Sequence, residues 1–151
     1  MFIGKALHFI QRQEIRLKIS GIPFCDNIYK WSVMVRMIES DNNPKASAGT
    51  TSAKGVYQFT DASVQTAKNR MVNMGFDKED VREISNNPHE WTDEHADCMF
   101  LANMFAQRGS DKLLKEVGNL DLDAMKEAYY KFHHTDPDEA TIKRVDKLMV
   151  V

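Results

Sequence analysis

A single carboxylate, Glu39, stands at the end of an apolar segment and just before a loop of small polar residues. Apolar residues recur at helical spacing through 27–40, which predicts that Glu39 lies in the last turn of a helix. The loop, 41–54, is followed by a short apolar stretch, 55–59. Partial burial between an apolar helix and an open loop would raise the pKa of a Glu and let it keep its proton. We therefore expect Glu39 to be a proton donor at the edge of a cleft.

The alternative for Glu39 is a solvated side chain near a helix C-terminus. Such residues are common, but a negative charge at that position opposes the helix dipole. Glu39 and the pattern of residues that follows it together favour the catalytic interpretation.

The segment from Glu39 to Phe59, about 21 residues, resembles the catalytic core of goose-type lysozymes and lytic transglycosylases. Those families carry Glu-Ser, an Asn-Pro-x-Ala-type loop, and Gly-(Leu/Val)-x-Gln-(Leu/Phe). The matching segments here are 39–40, 43–46 and 55–59, and a looser resemblance extends to the C-terminus. The resemblance implies a lysozyme-like fold. It also implies cleavage of peptidoglycan at the β-1,4 bond between N-acetylmuramic acid (MurNAc) and N-acetylglucosamine (GlcNAc).

The resemblance also implies roles for the neighbours of Glu39. In the matching positions a Ser fixes the acid, a loop Ser faces the substrate, a Gly permits close backbone approach, and the pair before the Leu or Phe binds an acetamido sugar and supports the site. These positions are Ser40, then Ser47 or Ser52, then Gly55, then Tyr57 and Gln58. Residues 49–51 look like an insertion, which leaves open which of the two loop serines reaches the sugar.

A second segment, 128–134, lies where transglycosylases carry Ala-Tyr-Asn-Ala-Gly, although Asn-Ala-Gly is absent here. In the family this Tyr lies near the catalytic Glu. Tyr129 and Tyr130 are both candidates for that position, and His133 is an alternative polar partner. Aromatic core residues followed by helix-end histidines are the competing explanation.

The reaction type depends on a second carboxylate. An inverting hydrolase needs one ~6.5–9.5 Å from the acid to activate water. Asp61 is the candidate, but it also follows Thr60 at a predicted helix start, where an acid complements the helix dipole. Without a second acid, Glu39 would protonate the leaving oxygen and then deprotonate the 6-hydroxyl of the sugar, which gives a 1,6-anhydro product. We expect this transglycosylase reaction, with the inverting hydrolase as the alternative.

No metal or cofactor is expected. The pair His95 and Cys98 matches no strong zinc spacing, and Cys98 lies on an apolar stripe. The cluster of His133, His134 and Asp136 is explained better if Asp136 caps a helix.

The chain of 151 residues predicts one mostly α domain, lysozyme-like, with about eight helices and at most a minor β-hairpin. Residues 1–26 would form an N-terminal helix and turn, and 27–151 the catalytic core. The helices are expected at 2–19, 27–40, 60–74, 78–84, 87–108, 123–133 and 136–148. The fifth of these should be the central buried helix.

Composition limits the partners. The formal net charge of −2 argues against general nucleic-acid binding, and no apolar run is long enough for a membrane span. The N-terminal residues lack the layout of a signal peptide. The expected partner is the peptidoglycan glycan strand, reached from the cytoplasm as a bacteriophage virion-associated or lysis protein, with virion or tail components as further partners. The rival hypothesis is a non-catalytic assembly or adaptor protein of lysozyme-like shape.

Overall fold

The computed structural model describes residues 1–150, which fold into eight α-helices and one short 3₁₀ helix. The mostly α fold with eight helices is therefore confirmed. The helices are α1 (Gly4–Arg16), α2 (Phe24–Ser40), α3 (Asp61–Asn73), α4 (Lys78–Glu83), the 3₁₀ helix (Pro88–Glu90), α5 (Asp93–Phe105), α6 (Ser110–Gly118), α7 (Leu122–Phe132) and α8 (Glu139–Leu148). Between α2 and α3 the backbone forms only two isolated antiparallel bridges, Ser47–Lys54 and Lys54–Phe59.

Helix α5 lies at the centre of the fold, as the sequence predicts. Every residue from Ala96 to Phe105 is buried, and α1, α3 and α6 all pack against this helix. A helix that is buried on all sides needs no amphipathic stripe, because neighbouring helices cover each face. One continuous apolar cluster runs from Phe2 in the N-terminal segment to Met149 beyond α8.

Helix α2 holds Glu39 in its last turn. On the same side as Glu39, α2 is anchored in the core by Trp31 and Val35, both fully buried, and the Trp31 indole donates to the carbonyl of Met125 at 3.1 Å. Arg144 of α8 caps the C-terminal end of α2, the end that carries Glu39. Its guanidinium donates to the carbonyls of Met37 and Ile38, the latter at 3.0 Å. These bonds satisfy carbonyls that a helix C-terminus leaves without partners, and so they fix the backbone beside Glu39.

Side-chain caps explain why several helices begin where they do. Thr60 and Ser63 form a reciprocal capping box at the start of α3. The side chains of Asp77, Thr92 and Asp121 cap α4, α5 and α7 in the same general manner.

Some predicted boundaries are wrong. The expected helix over 87–108 is divided, because Thr92 caps a new helix after the 3₁₀ turn. Helix α6 follows Gly109, a position where the sequence predicts only a helix end. The last helix is capped by Asp138 and not by Asp136, since the Asp138 carboxylate accepts from the amide of Thr141 at 2.8 Å.

None of the helices within residues 1–150 combines the length and apolar character that a membrane crossing requires.

Candidate functional site

Glu39 lies in a small polar cluster with Tyr129 and His134, which we call the Glu39 cluster. The Glu39 side chain is 8 % exposed, and its Oε1 accepts a hydrogen bond from the Tyr129 hydroxyl. The Nδ1 atom of His134 lies 2.9 Å from the same oxygen and 3.0 Å from the Tyr129 hydroxyl. Tyr129 projects from α7 and His134 follows the end of that helix, so α7 brings both partners to the end of α2.

The Glu39 cluster borders a cavity of about 700 Å³. Glu39 and His134 both line it, together with six hydroxyl-bearing residues: Ser47, Thr50, Thr51, Thr60, Thr135 and Thr141. Two further carboxylates, Asp136 and Asp138, lie on the same wall. The cavity thus combines a nearly buried acid with many groups that can donate and accept hydrogen bonds.

The charge state of Glu39 differs from the sequence-based expectation. Burial raises the pKa of Glu39, but the hydrogen bonds from His134 and Tyr129 and the nearby imidazoles outweigh burial and leave the pKa below its ordinary value. The hydrogen bond to Glu39 conversely raises the pKa of His134, against the opposing effect of burial. The expected rise in the Glu39 pKa is therefore wrong, because that expectation considered burial alone and not a hydrogen bond from an imidazole.

His133 has a different role from the neighbouring His134. Its ring is half-buried, and loss of solvation lowers its pKa; its Nε2 donates to the carbonyl of Tyr57 at 2.9 Å. It also lines the cavity. Of the two histidines, His134 is the one that contacts the carboxylate of Glu39.

A second cluster, formed by Arg36, Tyr57 and Asp97, lies on the other side of the 55–59 segment, and we call it the Arg36 cluster. Arg36 Nη2 lies 2.5 Å from Asp97 Oδ1, and the Tyr57 hydroxyl donates to the same carboxylate oxygen at 2.6 Å. The Tyr57 ring stacks on Phe100 with centroids 4.4 Å apart. Because Tyr57 is 1 % exposed and its ring is held in the core, its side chain does not reach the cavity.

The loop serines are placed differently from one another. Ser47 lines the cavity, and its hydroxyl lies 3.1 Å from His89 Nε2. Ser52 lies outside the cavity wall and accepts from the amide of Asp61 at 3.0 Å. The Ser40 hydroxyl donates to the carbonyl of Val56 at 2.8 Å, which ties the end of α2 to the 55–59 segment. Ser47 is thus the better placed of the two candidate serines for contact with a ligand.

Gly55 and Gln58 shape the short segment before α3. Gly55 has a φ of +81°, and a Cβ there would lie 3.0 Å from the side chain of Pro88, so the close approach at Gly55 is to Pro88. Gln58 also has a positive φ, 54°, and its amide donates to the carbonyls of Gly55 and Ala46 at 3.0 and 3.3 Å. Gln58 lines the cavity and at the same time holds the loop in place.

Two further candidates lie outside the cavity wall. Asp61 is the first residue of α3, next to the cap Thr60, which itself lines the cavity. Tyr130 packs edge-on against Tyr129, with ring centroids 5.3 Å apart. Its buried hydroxyl has no hydrogen-bond partner among the described residues.

Sequence reasoning missed His134 as the partner of Glu39, Asp136 as a cavity carboxylate and Arg144 as the clamp of α2. One signal for His134 was available in the sequence. His134 follows Tyr129 by five residues and comes just after the predicted helix 123–133, so its side chain can lie close to that of Tyr129. Nothing in the local sequence of α8 indicates that Arg144 meets α2, because that contact spans more than a hundred positions in the chain.

Within residues 1–150 no three His, Cys, Asp or Glu side chains converge as the ligands of a metal ion would. Comparison of the chain with protein-family models, with curated proteins and with solved structures found no match. The candidate function therefore rests on the site itself.

Proposed function

We propose that this protein is a peptidoglycan-cleaving glycosidase, a lytic transglycosylase in which Glu39 is the acid and base. The observation that carries the proposal is the nearly buried Glu39 carboxylate on the wall of a hydroxyl-lined cavity, hydrogen-bonded to Tyr129 and His134. The sequence resemblance of 39–59 to goose-type lysozymes and lytic transglycosylases supports the same function.

The size and lining of the cavity suit a segment of glycan strand. Ligand pockets commonly measure about 300–1,000 Å³, and this one is about 700 Å³. Sugar hydroxyl and acetamido groups both donate and accept hydrogen bonds, as do the Ser and Thr side chains of the wall. The wall also contains the apolar residues Ile38, Ala46 and Ala53, which form patches on which the face of a sugar ring can pack.

In the proposed reaction, protonated Glu39 donates to the leaving glycosidic oxygen while positive charge develops on the sugar ring. The resulting carboxylate then takes the proton of the sugar 6-hydroxyl, whose oxygen closes the 1,6-anhydro ring. Tyr129 and His134 donate to Oε1 of Glu39, so they stabilise its carboxylate form and fix its orientation.

An inverting hydrolase is the second candidate, and a specific observation favours it. Asp136 lies on the cavity wall, and its carboxylate is not occupied in capping α8, since Asp138 does that. An exposed carboxylate in this position could be the base that activates a water molecule while Glu39 protonates the leaving oxygen in the same step. This makes Asp136, together with Asp61, a candidate base for the hydrolytic reaction.

The two reactions are separated by their products. Purified wild-type protein should lower the turbidity of a suspension of bacterial cell walls, and mass spectrometry should find muropeptides with 1,6-anhydro ends. Reducing-end products, heavier by one water, would replace the transglycosylase with the hydrolase. If no wall is cleaved, the catalytic proposal fails and the non-catalytic adaptor hypothesis takes its place.

A further inference from the structure

We propose that His134 holds the proton that Glu39 uses in catalysis, so that the two side chains act as one proton-sharing pair. This inference rests on the proposed function. From the sequence we expected Tyr129, Tyr130 or His133 beside Glu39, and the structure joins that acid to Tyr129 and to a titratable base, His134.

The geometry permits direct proton transfer between the two residues. Nδ1 of His134 and Oε1 of Glu39 are 2.9 Å apart, an ordinary hydrogen-bond distance. The Tyr129 hydroxyl donates to the same Oε1, so Oε1 accepts two bonds. Oε2 accepts none from residues 1–150 and is not sealed from solvent, because it is absent from the buried unpartnered atoms. Glu39 therefore keeps one oxygen available on the side of the cavity.

The groups around the pair favour a proton on His134 at rest. The pKa of His134 is raised by its hydrogen bond to Glu39 and by the negative charge of that carboxylate. The nearby carboxylates of Asp138 and Asp136 raise it further. The neighbouring His133 does not compete for this proton, because burial and the charge of His134 lower the pKa of His133. Burial and the charge of Glu39 raise the pKa of the Tyr129 hydroxyl, and the positive charge of Arg144 on α8 partly opposes them. The resting pair is thus an anionic Glu39 and a cationic His134 that share one proton.

One proton suffices for a complete reaction cycle. First the Nδ1–H bond of His134 breaks and an O–H bond forms on Oε1 of Glu39, which leaves both side chains neutral. A half-turn of the carboxyl group then brings this O–H to the side of the cavity. The Glu39 carboxyl then gives that proton to the leaving glycosidic oxygen and becomes a carboxylate beside a neutral imidazole. The carboxylate takes a proton from the 6-hydroxyl on its cavity-facing oxygen, turns back and passes the proton to Nδ1. The resting state is restored with no net gain or loss of protons.

The pair sets the alkaline limit of activity. A lone Glu39 would lose its proton, and its function as an acid, near the ordinary pKa of a carboxyl group. With His134 present, the proton is lost only when the pair as a whole deprotonates. Activity should therefore extend above pH ~6.5, the ordinary pKa of His.

The first experiment compares pH profiles of kcat/KM on soluble peptidoglycan fragments. His134→Asn keeps a hydrogen-bond donor close to the position of Nδ1 but cannot exchange a proton. We expect its alkaline limb to move down by at least about one pH unit, so that activity at pH 7.5 falls about tenfold relative to its acid maximum. His8→Asn, which replaces an exposed histidine on α1, should keep the wild-type profile. A wild-type profile in His134→Asn would overturn the proposal.

The second experiment needs no substrate. The titration of the His134 ring, followed by NMR in the wild type, should have its midpoint above 6.5, and in Glu39→Gln it should move down by about one unit or more. An unchanged midpoint in Glu39→Gln overturns the proton-sharing pair even if the enzyme is active. Conversely, absence of wall cleavage by the wild type overturns the proposed function and the catalytic role of the pair with it.

Discussion

The Glu39 cluster and the Arg36 cluster contain the same three kinds of group: a carboxylate, a tyrosine hydroxyl and a cationic partner. Both begin on α2, where Arg36 and Glu39 lie three residues apart. In the Arg36 cluster the cation is a guanidinium that stays charged at any ordinary pH, and its side chain is 8 % exposed. In the Glu39 cluster the cation is an imidazolium, and His134 is 31 % exposed at the cavity wall.

This difference suits the two clusters to different roles: the Arg36 cluster to structural support, and the Glu39 cluster to the proposed chemistry. A permanently charged guanidinium beside a buried carboxylate can only stabilise it, so the Arg36 cluster is suited to holding α2, α5 and the 55–59 segment together. A histidine beside a carboxylate can exchange a proton with it near neutral pH. Since only the Glu39 cluster also borders the cavity, it is the one that can act on a ligand.

The largest expected effect on stability comes from the Arg36 cluster. Asp97→Asn leaves the buried charge of Arg36 without its 2.5 Å partner, and such a loss costs about 3–5 kcal/mol of unfolding free energy. Urea denaturation of the purified variant measures this cost.

Asp93→Asn is the matched control, because Asp93 also contacts Arg36, at 3.4 Å, but its side chain is 79 % exposed. Its replacement should cost at most about 1 kcal/mol. Equal effects of the two substitutions would show that the Arg36 cluster does not carry the stability assigned to it.

The sequence predicted much of the fold and the position of Glu39 at the end of α2 beside a cavity, and the reasons for the failed predictions are physical. Helix periodicity and caps are local, so α2, α3 and the central position of α5 could be predicted. The start of α6 after Gly109 could not, because no side chain caps it. The partner of Glu39 was missed for a further reason. His134 and Glu39 are 95 positions apart, and their contact depends on how α7 packs, which no local pattern reports.

Next in size is the effect on the 55–59 segment, which carries Tyr57 of the Arg36 cluster. Gly55→Ala combines the strain of a positive φ with a Cβ 3.0 Å from Pro88, and we expect it to lower the unfolding free energy by about 2–3 kcal/mol. Gly49→Ala is the control: its φ of +82° is similar but nothing lies within 4 Å. It should cost about 1 kcal/mol. If thermal melting of the two variants is identical, the packing of Gly55 on Pro88 does not hold the segment.

A smaller effect is the pH dependence of stability, which we expect from the Glu39 cluster because both Glu39 and His134 titrate. The lowered pKa of Glu39 stabilises the fold above its ordinary value of 4.5, and this contribution is lost as the pH falls through the lowered value. The raised pKa of His134 stabilises the fold fully below 6.5, and this contribution is lost as the pH rises through the raised value. As the pH rises from mildly acid to alkaline, the unfolding free energy of the wild type should thus fall by up to about 1 kcal/mol. His134→Asn should not show this fall. Parallel pH profiles of the melting temperature for the two proteins would contradict the ion pair.

The smallest effect is expected at Asp61, which lies outside both clusters. Asp61→Asn removes only a charge at the first residue of α3, and the cap Thr60 remains. The variant should keep at least about a third of wild-type wall-cleaving activity, a barrier change under ~1 kcal/mol. Asp136→Asn, on the cavity wall, is the informative companion. A large loss in either variant, together with reducing-end products, identifies the base of an inverting hydrolase.

The central claim is that the Glu39 cluster carries the chemistry and contributes little to holding the fold. The most direct measurement is the rate of wall cleavage by Glu39→Gln, taken together with its melting temperature. Gln keeps the shape of the side chain and removes the acid, so we predict a loss of at least about a hundredfold in rate with the fold retained. Cleavage at the wild-type rate by folded Glu39→Gln would contradict the account.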